Sequence, residues 1–531
     1  MIESSFPILS LVIVFPLLTM IGLSGMRRDR HAQYFALGAA IIEVLLTGLS
    51  LLVFDFDSNR VQLIERRPWI PELNISYVVG VDGLSVAFPF LTAWVNLAII
   101  VSTWNQIRQR VRLHLAMLFL LESVTIGIFC ALDLILFLLF WELTLIPVFF
   151  LLSLYGIGPE RRYAALKYTV LMLVGGASLL IGFLLLAMNY AEQLGLPLSS
   201  GLSFDYLTLL HVPIAEDIKS LVFLLLLLGF AVKAPLFPFH TWLPTLALEG
   251  PVGLTAWLTG LKLGIYGILR IAIPLVPGAA HEYDGLLKAL GVTGLIYGGL
   301  IALGETNLRR MLAYSSISHI GGTLIGIATL THQGVQGAVF QLMNFSVVST
   351  GLFLLCGFIR HRTGTTDLSG LSGMAILMPK LTALFLILGL SNIGLPGTGG
   401  FPAELLILMG AFKSHLGMGC AVLLGGVLSV GYFFNFYRQA FLGPPPGGYS
   451  ARGLDLRPRE LLIAGSFVIL TLVPGLMPGP FMAISNKAVA VWVSRINNPP
   501  EGSSYAETMP EAVRTGNTTT DAADTPNSPD I

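Results

Sequence analysis

Charge is the property that this sequence has least of. Only 11% of its 531 residues are charged, and the formal net charge is zero. No block of Lys and Arg with interleaved aromatic residues occurs, so a nucleic-acid partner has no electrostatic support. The chain is instead 54% hydrophobic, and many apolar runs are long enough to cross a hydrocarbon core of about 30 Å. We therefore predict an all-α polytopic membrane protein in contact with the lipid bilayer.

Cysteine and the common cofactor motifs are also scarce. Three cysteines, Cys130, Cys356 and Cys420, lie singly inside apolar runs, so we expect them to pack rather than to form disulfides or metal clusters. The sequence contains no GxGxxG motif after a strand, no GxxxxGK[ST] motif and no HExxH motif, which removes the usual nucleotide and zinc-protease signatures. We predict no cofactor and no metal in this chain, so that any electrons travel elsewhere.

The apolar runs predict about fourteen transmembrane helices. These begin near residues 6, 32, 84, 113, 133, 165, 219, 252, 286, 309, 334, 380, 418 and 460. The first is interpreted as a retained span, because Glu3 stands where a signal peptide has basic residues. Loops after odd-numbered spans carry eighteen basic residues and loops after even-numbered spans carry seven, a bias that predicts both termini outside the cytoplasm.

Two segments do not have membrane composition. Residues 55–83 mix charges with short alternating stretches such as NISYVVGV, which indicates an external loop with some strand pairing. Residues 498–531 are polar and rich in Pro, Thr and Asp, a composition too polar to bury a core. We predict that this tail is disordered.

Ionisable residues inside apolar runs are the main functional signal, because each costs about 2.5 kcal/mol or more at the bilayer centre. Those near span ends are expected to be snorkelling or solvated in loops. They are Asp133, Lys167, Arg270, Glu305, Arg309, Arg310, Lys380 and Lys413. Glu43 and Glu122 are flanked by apolar residues, and for them a buried hydrogen bond at a helix interface and a functional role remain equally open.

Glu142 and Lys233 lie deepest in the first part of the chain. Glu142 is in the middle of LILFLLFWELTLIPVFFLL, and Lys233 precedes two prolines in GFAVKAPLFPFHTWLP. Prolines free backbone carbonyls, and a broken helix at membrane depth is tolerated where it lines a hydrated cavity. The alternatives are purely structural roles: a neutral, hydrogen-bonded carboxyl for Glu142 and a permanent ion pair for Lys233. His240 follows Lys233 by two helical turns, which suggests a proton relay.

A second deep lysine and a second broken segment follow. Lys262 lies in GLTAWLTGLKLGIYGILR, among glycines that permit close helix approach. His319 lies in a span with four hydroxyl residues, and Glu404 follows the Pro- and Gly-rich stretch LPGTGGFPAE. A deep polar residue followed two spans later by a charge beside a break thus occurs twice, which hints at an internal repeat of five spans.

Five motifs give the chain a family resemblance over roughly residues 80–445. They are WELTLIPV, KAPLFPFHTWLP, LKLGIYG, RRMLAYSSISHIG and LPGTGGFPAEL. In this order they resemble the antiporter-like membrane subunits of respiratory complex I and of Mrp-type cation/proton antiporters. Within that group the chain looks like the subunit M (chain 4) type, because the sister subunits usually carry a lysine where this chain has Glu404.

The resemblance implies two inverted five-helix repeats that contain broken helices. The domain boundaries that we predict are 1–112 for the first three helices with the loop 55–83, 113–275 and 286–442 for the two repeats, 443–497 for a C-terminal helix and its flank, and 498–531 for the tail. One departure from the family pattern is that Thr245, Leu246 and Ala247 stand where relatives usually have an Asp-Ala-His element, which leaves the proton route at that loop open.

The resemblance also implies a function, namely a proton path driven by quinone reduction elsewhere in a complex. Its residues would be Glu142, Lys233, Lys262, His319 and Glu404, and from the spacing argument above we add His240. The implied partners are the other membrane subunits of a complex I-like assembly, in a bacterial cytoplasmic membrane or in a thylakoid or other energy-coupling membrane. The alternatives are an Mrp-type antiporter or hydrogenase-linked subunit, with Na⁺ in place of protons, and a structural scaffold whose charges only fix helix register.

Overall fold

A computed structural model describes residues 6–198, 201–445 and 455–498. The predicted disordered tail lies outside these residues from 499 onward. In the described ranges ten helices are long and apolar enough to cross a membrane, and three further apolar helices are shorter. The prediction of an all-α membrane protein is confirmed, whereas the count of fourteen spans stays a prediction.

The α-helices of the described ranges vary in length from 3 to 33 residues. They are α1 Ile8–Ser24, α2 Asp29–Val53, α3 Ala87–Thr103, α4 Val111–Cys130, α5 Leu134–Leu143, α6 Leu145–Tyr155, α7 Arg161–Gln193, α8 Tyr206–Leu209, α9 Glu216–Lys233, α10 Trp242–Glu249, α11 Val252–Gly260, α12 Leu263–Gly267, α13 Ile273–Leu275, α14 Pro277–Glu282, α15 Asp284–Gly304, α16 Leu308–Ala328, α17 His332–Thr363, α18 Met374–Leu377, α19 Pro379–Asn392, α20 Gly400–Ser414, α21 Leu416–Phe441, α22 Pro458–Leu476 and α23 Pro478–Asn497. A helix begins within four residues of every predicted start, since long apolar runs leave no other way to satisfy the backbone in lipid.

A two-stranded antiparallel sheet forms between α2 and α3, as the alternating stretch predicted. Its strands are β1 Gln62–Ile70 and β2 Ile75–Val81, and Asn74 adopts the left-handed conformation at the turn. The backbone N–H of Ser76 donates to the carboxylate of Asp133 at 3.2 Å. The sheet therefore lies against the beginning of α5.

The broken helices lie where proline and glycine predicted them. After Lys233 ends α9, Pro235 cannot donate a backbone hydrogen bond. The indole Nε1 of Trp242 donates to the carbonyl of Val232 at 2.9 Å, so the interrupted segment keeps its backbone satisfied. Between α19 and α20 the chain turns through Gly394 and Gly397, whose positive φ angles suit glycine.

Two parallel sets of contacts relate the predicted repeats. Asp133 caps the N-terminus of α5 and forms an isolated antiparallel bridge with Asp205. Asn307 caps α16 in the same way and bridges Asp367. The matching backbone bonds are Leu134 N to Phe204 O and Leu308 N to Thr366 O, each 2.9 Å long. This correspondence supports an internal repeat, but the boundaries 113–275 and 286–442 stay predictions.

The expectation that charges near span ends are solvated was wrong for three residues. Arg270 is 6% exposed and is ion-paired with Asp82. Arg309 is 2% exposed and donates to the carbonyls of Leu248 and Gly250, at 3.0 and 2.6 Å. Asp133 is also buried, by the two-stranded sheet. Loops and hairpins fold over these span ends, so protein groups take the place of water.

One other expectation needs correction. Cys420 is exposed on α21 instead of packing inside, while Cys130 and Cys356 are buried. The flank after α22, for which no structure was predicted, contains the helix α23, and the indole of Trp492 on this helix donates to the carbonyl of Leu269 at 2.8 Å. The proline at the start of α23 is compatible with a helix because the first turn needs no donor from it.

Candidate functional site

Lys233 is buried where α9 ends. Its amine donates to the hydroxyl of Thr144 at 2.8 Å and to the carbonyl of Trp141 at 3.1 Å. The same amine lies 3.9 Å from the centre of the Trp141 ring, a cation–π contact. The turn between α5 and α6 thus supplies all of these contacts, on both sides of Glu142. We call Glu142, Thr144 and Lys233 the first cluster.

Glu142 faces this turn without a direct ion pair. Among the described residues no ion pair within 4 Å joins it to Lys233, although the two charges act on each other. Its Oε1 is buried with no hydrogen-bond partner in the described part of the chain. A Cβ on Gly176 of α7 would collide with the carboxylate, so the glycine makes room for it. The structure therefore brings the predicted pair together through Thr144 and a peptide group.

His240 contacts aromatic rings in the described structure. It lies in a 3₁₀ turn, Phe239–Thr241, stacks on the ring of Phe237 with ring centres 5.7 Å apart, and meets the ring of Tyr297 edge-on at 5.1 Å. The helical alignment of His240 with Lys233 is lost because the Pro-rich break separates them. The described residues show no bond between the two, so a direct relay from one to the other is not formed.

Lys262 lies between α11 and α12, also at a break. It is 7% exposed, and its amine donates to the hydroxyl of Ser316 on α16. The ring of Phe345 lies 5.2 Å from the amine. Gly264, two residues on, packs against the backbone of Ala234, where a Cβ would collide. The two lysines therefore lie at breaks that are in contact with each other.

His319 and Glu404 form a second cluster with three neighbours. The imidazole Nδ1 is 3.7 Å from Glu404 Oε1, and Nε2 is 3.1 Å from the hydroxyl of Tyr432. The Tyr432 hydroxyl is also 2.7 Å from Ser315 Oγ, to which the side-chain amide of Asn392 donates at 3.1 Å. We call these five residues the second cluster.

A small cavity opens beside the second cluster. Its volume is about 40 Å³, and its polar lining comprises Ser318, His319, Thr323, Gln341, Glu404 and Ser429. A cavity holds a water molecule once it exceeds roughly 10–15 Å³ and offers two to four polar partners. The space between His319 and Glu404 therefore meets both requirements for water.

The loop that departs from the family pattern is held by other contacts. Thr245 Oγ1 accepts from Lys167 at 3.1 Å, and Leu246 and Ala247 are fully buried. The carbonyl of Glu249 accepts from the backbone of Ile157 at 2.7 Å. The loop is thus clamped to its neighbours by Lys167 and by backbone bonds.

Sequence reasoning missed three members of the two clusters: Thr144, Asn392 and Tyr432. Each is a single polar residue in an apolar helix, a pattern that does not distinguish them from ordinary helix residues. Only the packing of α9 against the turn between α5 and α6, and of α19 and α21 against α16, brings them to the clusters. In the described part of the chain no three His, Cys, Asp or Glu side chains gather in a way that could hold a metal ion.

The chain was compared with protein families and with characterised proteins. The model of the family described as NADH:quinone oxidoreductase/Mrp antiporter, transmembrane, matches residues 131–429. NADH-quinone oxidoreductase subunit M of Rickettsia typhi is 33% identical over 495 residues, which are 91% of this chain and 98% of the relative. NAD(P)H-quinone oxidoreductase chain 4 2 of Thermosynechococcus vestitus is 36% identical over 489 residues, 89% of each chain.

Solved structures give the same fold. A chain of respiratory complex I from Thermus thermophilus matches with a TM-score of 0.83 and 30% identity, over 92% of this chain and 99% of that one. A chain of the Mrp complex from Dietzia matches with a TM-score of 0.74 and 21% identity, over 91% of this chain and 51% of that one. The second likeness shows the fold alone.

Proposed function

The chain belongs to the NADH:quinone oxidoreductase/Mrp antiporter transmembrane family, and we propose that it is the subunit M (chain 4) type, proton-translocating subunit of an NADH-quinone oxidoreductase. Its role is to move protons while quinone is reduced elsewhere in the assembly. The relatives from Rickettsia typhi and Thermosynechococcus vestitus, at 33% and 36% identity, carry the names subunit M and chain 4 2 and match over most of their length.

The observation that carries the proton path is the sequence of polar contacts between the two clusters. Lys233 contacts the turn beside Glu142, and its break contacts the break at Lys262. Lys262 donates to Ser316, whose neighbour Ser315 begins the second cluster. Tyr432 then joins Ser315 to His319. Buried ionisable residues in a membrane are expected to mark ion pathways.

Each group in this path has a chemical role that suits its residue type. A lysine amine can both bind and release a proton, and the amines of Lys233 and Lys262 are buried next to hydroxyl groups, so both lysines act as proton carriers. A hydroxyl of Ser315 or Tyr432 accepts a proton on oxygen while it passes its own proton onward. His319 takes the proton on one ring nitrogen and releases one from the other, and Glu404 accepts it across the cavity.

Charge on Lys233 and Glu142 provides the coupling step. Two ionisable groups in a low dielectric influence each other's protonation strongly, so a change at one resets the other. A neutral Glu142 removes the attraction that stabilises the Lys233 ammonium, which then releases its proton toward Lys262. His240, away from Lys233, serves on this proposal as a separate titratable group facing α15 and α16.

Partners and location follow from the family. We propose that the chain assembles with other membrane subunits of a complex I-like enzyme and acts there as a non-redox subunit of the translocase. It carries protons rather than Na⁺ and itself holds no cofactor. The membrane is the bacterial cytoplasmic membrane or a thylakoid or other energy-coupling membrane, and the excess of basic residues in odd-numbered loops supports termini on the outer side.

Two alternatives are less well supported. The Mrp chain and a membrane-bound sulfane sulfur reductase chain match with 21% and 23% identity, which supports a common fold and no shared substrate. A purely structural scaffold does not require a buried Lys233 amine bonded to a threonine hydroxyl beside an unpartnered carboxylate.

Affinity purification of the native assembly through this chain tests the assignment. Companion subunits that carry flavin and iron–sulfur clusters are expected, together with quinone-coupled proton uptake by vesicles. Glu142→Gln should then lower proton uptake while the assembly forms normally. Normal uptake in an assembly that contains the variant would overturn the pumping role, and purification without redox subunits would favour an antiporter.

A further inference from the structure

Two buried carboxyl groups lie outside the proposed path. Glu43 on α2 and Glu122 on α4 are both 0% exposed. Glu122 Oε2 accepts a hydrogen bond from the side-chain amide of Asn96 on α3 at 2.6 Å. In the described part of the chain, both oxygens of Glu43 and Oε1 of Glu122 have no donor. A buried acceptor without a donor lowers the stability of the fold, so the protonation of these two carboxyl groups requires an explanation.

The three side chains come from three neighbouring helices at one level. Gln33 near the start of α2 donates to the carbonyl of Trp104 at 2.9 Å, and Gly48 lies opposite Phe90. α2 and α3 therefore run antiparallel, in a register that places Glu43 level with the turn that contains Asn96. The charges of Glu43 and Glu122 act directly on each other. The two carboxyl groups form a pair with Asn96 beside it.

No basic side chain faces this pair from the helices packed around it. α1, α3 and α11 contain no charged residue. Of the other packed helices, α6 contains no charged residue, α5 contains only Glu142, near its end, and, outside the pair itself, the charged residues and histidines of α2, α4, α17 and α22 lie in their terminal turns. Two ionised carboxylates without a cation cannot share an apolar site, because the Coulomb repulsion adds to the cost of burial. At least one of the two carboxyl groups must therefore carry a proton.

Asn96 makes the pair asymmetric, and its own carbonyl oxygen points to a bound donor. The amide N–H of Asn96 stabilises an ionised Glu122, whereas Glu43 has no donor in the described residues. The side-chain oxygen of Asn96 is buried without a partner among those residues as well. A proton on Glu43 supplies an O–H donor for an oxygen in this cluster, which satisfies groups that are otherwise left unpaired.

One buried imidazole, that of His114, lies on α4 between the pair and the start of the helix. His114 lies on α4 eight residues before Glu122, a distance of about 12 Å along one face of the helix. It is 3% exposed, and neither ring nitrogen has a hydrogen-bond partner in the described ranges. Its ring contacts Tyr155 with centres 4.9 Å apart, and Tyr155 reaches the exposed end of α4 by donating to the carbonyl of Arg110.

We propose that Glu43, Glu122 and Asn96 form a second proton-binding site, which exchanges protons past His114 with the side of the membrane where α4 begins. The site shares no residue with the proposed path. Its ligand is the proton, which moves from water to the imidazole nitrogen of His114 and from there, through transient water, to a carboxylate oxygen. His114 is neutral before and after the transfer, so the pair alone changes charge.

Infrared difference spectroscopy of the native assembly tests the site. The carbonyl stretch of a protonated carboxyl group is expected in the wild-type assembly and should be lost in Glu43→Gln. In Glu122→Gln it should shift, because the protonated carboxyl group of Glu43 loses its ionised neighbour, and this variant serves if the first fails to assemble. Identical spectra for wild type and both variants would overturn the proposal. Loss of the wild-type band on addition of Na⁺ would show a sodium site and would also overturn it.

Exchange kinetics test the access route. On transfer to D₂O the band should shift in the wild type, and in His114→Phe it should shift several-fold more slowly with unchanged intensity. His361→Phe, which replaces an exposed histidine at the end of α17, is the matched control and should exchange at the wild-type rate. Equal rates in His114→Phe and in the wild type would overturn the route. These readouts do not depend on pumping, so they can fail or succeed independently of the proposed function.

Discussion

The two clusters each combine an acid and a base beside interrupted backbone, but the acid and the base exchange positions between them. In the first, the acid Glu142 lies near the end of α5, just before the turn to α6, and the base Lys233 lies at the break after α9. In the second, the base His319 lies on the uninterrupted helix α16 and the acid Glu404 follows the break. The break thus holds a cation in one cluster and an acid in the other. What the two have in common is a titratable group at interrupted backbone, rather than a particular charge.

The clusters also differ in how the groups are joined. Lys233 is fixed by a hydroxyl and a carbonyl at hydrogen-bond distance. His319 and Glu404 are 3.7 Å apart beside a cavity of about 40 Å³. The groups of the first cluster are held by direct hydrogen bonds, whereas the second cluster has room for water. Water can therefore replace a lost group less easily in the first cluster than in the second.

Replacement of Lys233 should have the largest effect. Lys233→Met keeps the length of the side chain and removes its charge and both hydrogen bonds. Quinone-coupled proton uptake in vesicles should fall about tenfold or more, since hydrogen bonds to a charged group contribute about 1.5–3 kcal/mol and about 1.4 kcal/mol is a factor of ten. Lys288→Met, at a partly exposed lysine that pairs with Asp284, is the control. Equal proton uptake in the two variants would contradict a role for Lys233 in proton transfer.

Replacement of Glu404 should have an intermediate effect. Glu404→Gln removes the titratable group but leaves the cavity, where water can take over part of the transfer, so a fall of about fivefold is expected, equivalent to about 1 kcal/mol. Glu216→Gln, at an exposed residue, controls for the substitution itself.

A substitution that exchanges the acid at position 404 for a base tests whether the second cluster requires an acid. Glu404→Lys places a titratable amine where sister subunits usually have lysine. If a titratable group at the break is what matters, uptake should be higher in Glu404→Lys than in Glu404→Gln. A lower value for the lysine variant would show that the second cluster requires an acid.

Tyr432 should have a smaller effect than either charge. Tyr432→Phe removes the hydroxyl between Ser315 and His319 and leaves the ring. Because one neutral hydrogen bond contributes about 0.5–1.5 kcal/mol, uptake should fall about two- to fourfold, and the pH profile of uptake should shift as His319 loses a partner. Tyr437→Phe, on the same helix, is the matched control. Unchanged rate and pH profile in Tyr432→Phe would remove the hydroxyl from the path.

The smallest effect concerns the two equivalent helix caps, Asp133 and Asn307. Burial raises the pKa of Asp133 to about 6, although backbone N–H groups oppose the shift, compared with about 3.9 in an unfolded chain. Its favourable contribution to the free energy of unfolding is therefore complete below about pH 4 and is lost as pH rises through about 6.

Acidification from pH 7 to pH 5 should accordingly raise the Tm of the solubilised wild-type protein by about 1–3 °C relative to Asp133→Asn. Asn307→Asp gives the second cap a titratable group, and its Tm should become more dependent on pH. Parallel Tm curves for wild type and Asp133→Asn would contradict the assignment. Thermal unfolding monitored by tryptophan fluorescence supplies the values.

Much of the fold was predictable from sequence because lipid imposes strong local rules. Apolar runs had to become helices, and the prolines after Lys233 had to interrupt one. The sequence comparison of the clusters was less accurate, because it aligned His319 with Glu142 by spacing. Counted from the caps Asp133 and Asn307, the ninth residue is Glu142 in one repeat and Ser316 in the other.

What sequence could not supply is contact between helices that are distant along the chain. Thr144 gains its role because α9 brings Lys233 to it, and Tyr432 gains its role because α21 packs against α16, which carries His319. Arg309 is buried because a loop 60 residues away folds over it. The periodicity of the sequence does not predict such contacts, because a polar residue in an apolar helix can equally well make an ordinary helix–helix contact.

The proton-to-electron ratio of the purified assembly in proteoliposomes, measured with Lys262→Met, tests the central claim most directly. Lys262 is the residue that joins the two clusters, through the break at Lys233 and the hydroxyl of Ser316. If protons pass along these buried groups, the ratio should fall while quinone reduction continues and the assembly stays intact. A ratio equal to that of the wild type, in an intact assembly that contains the variant, would contradict the account.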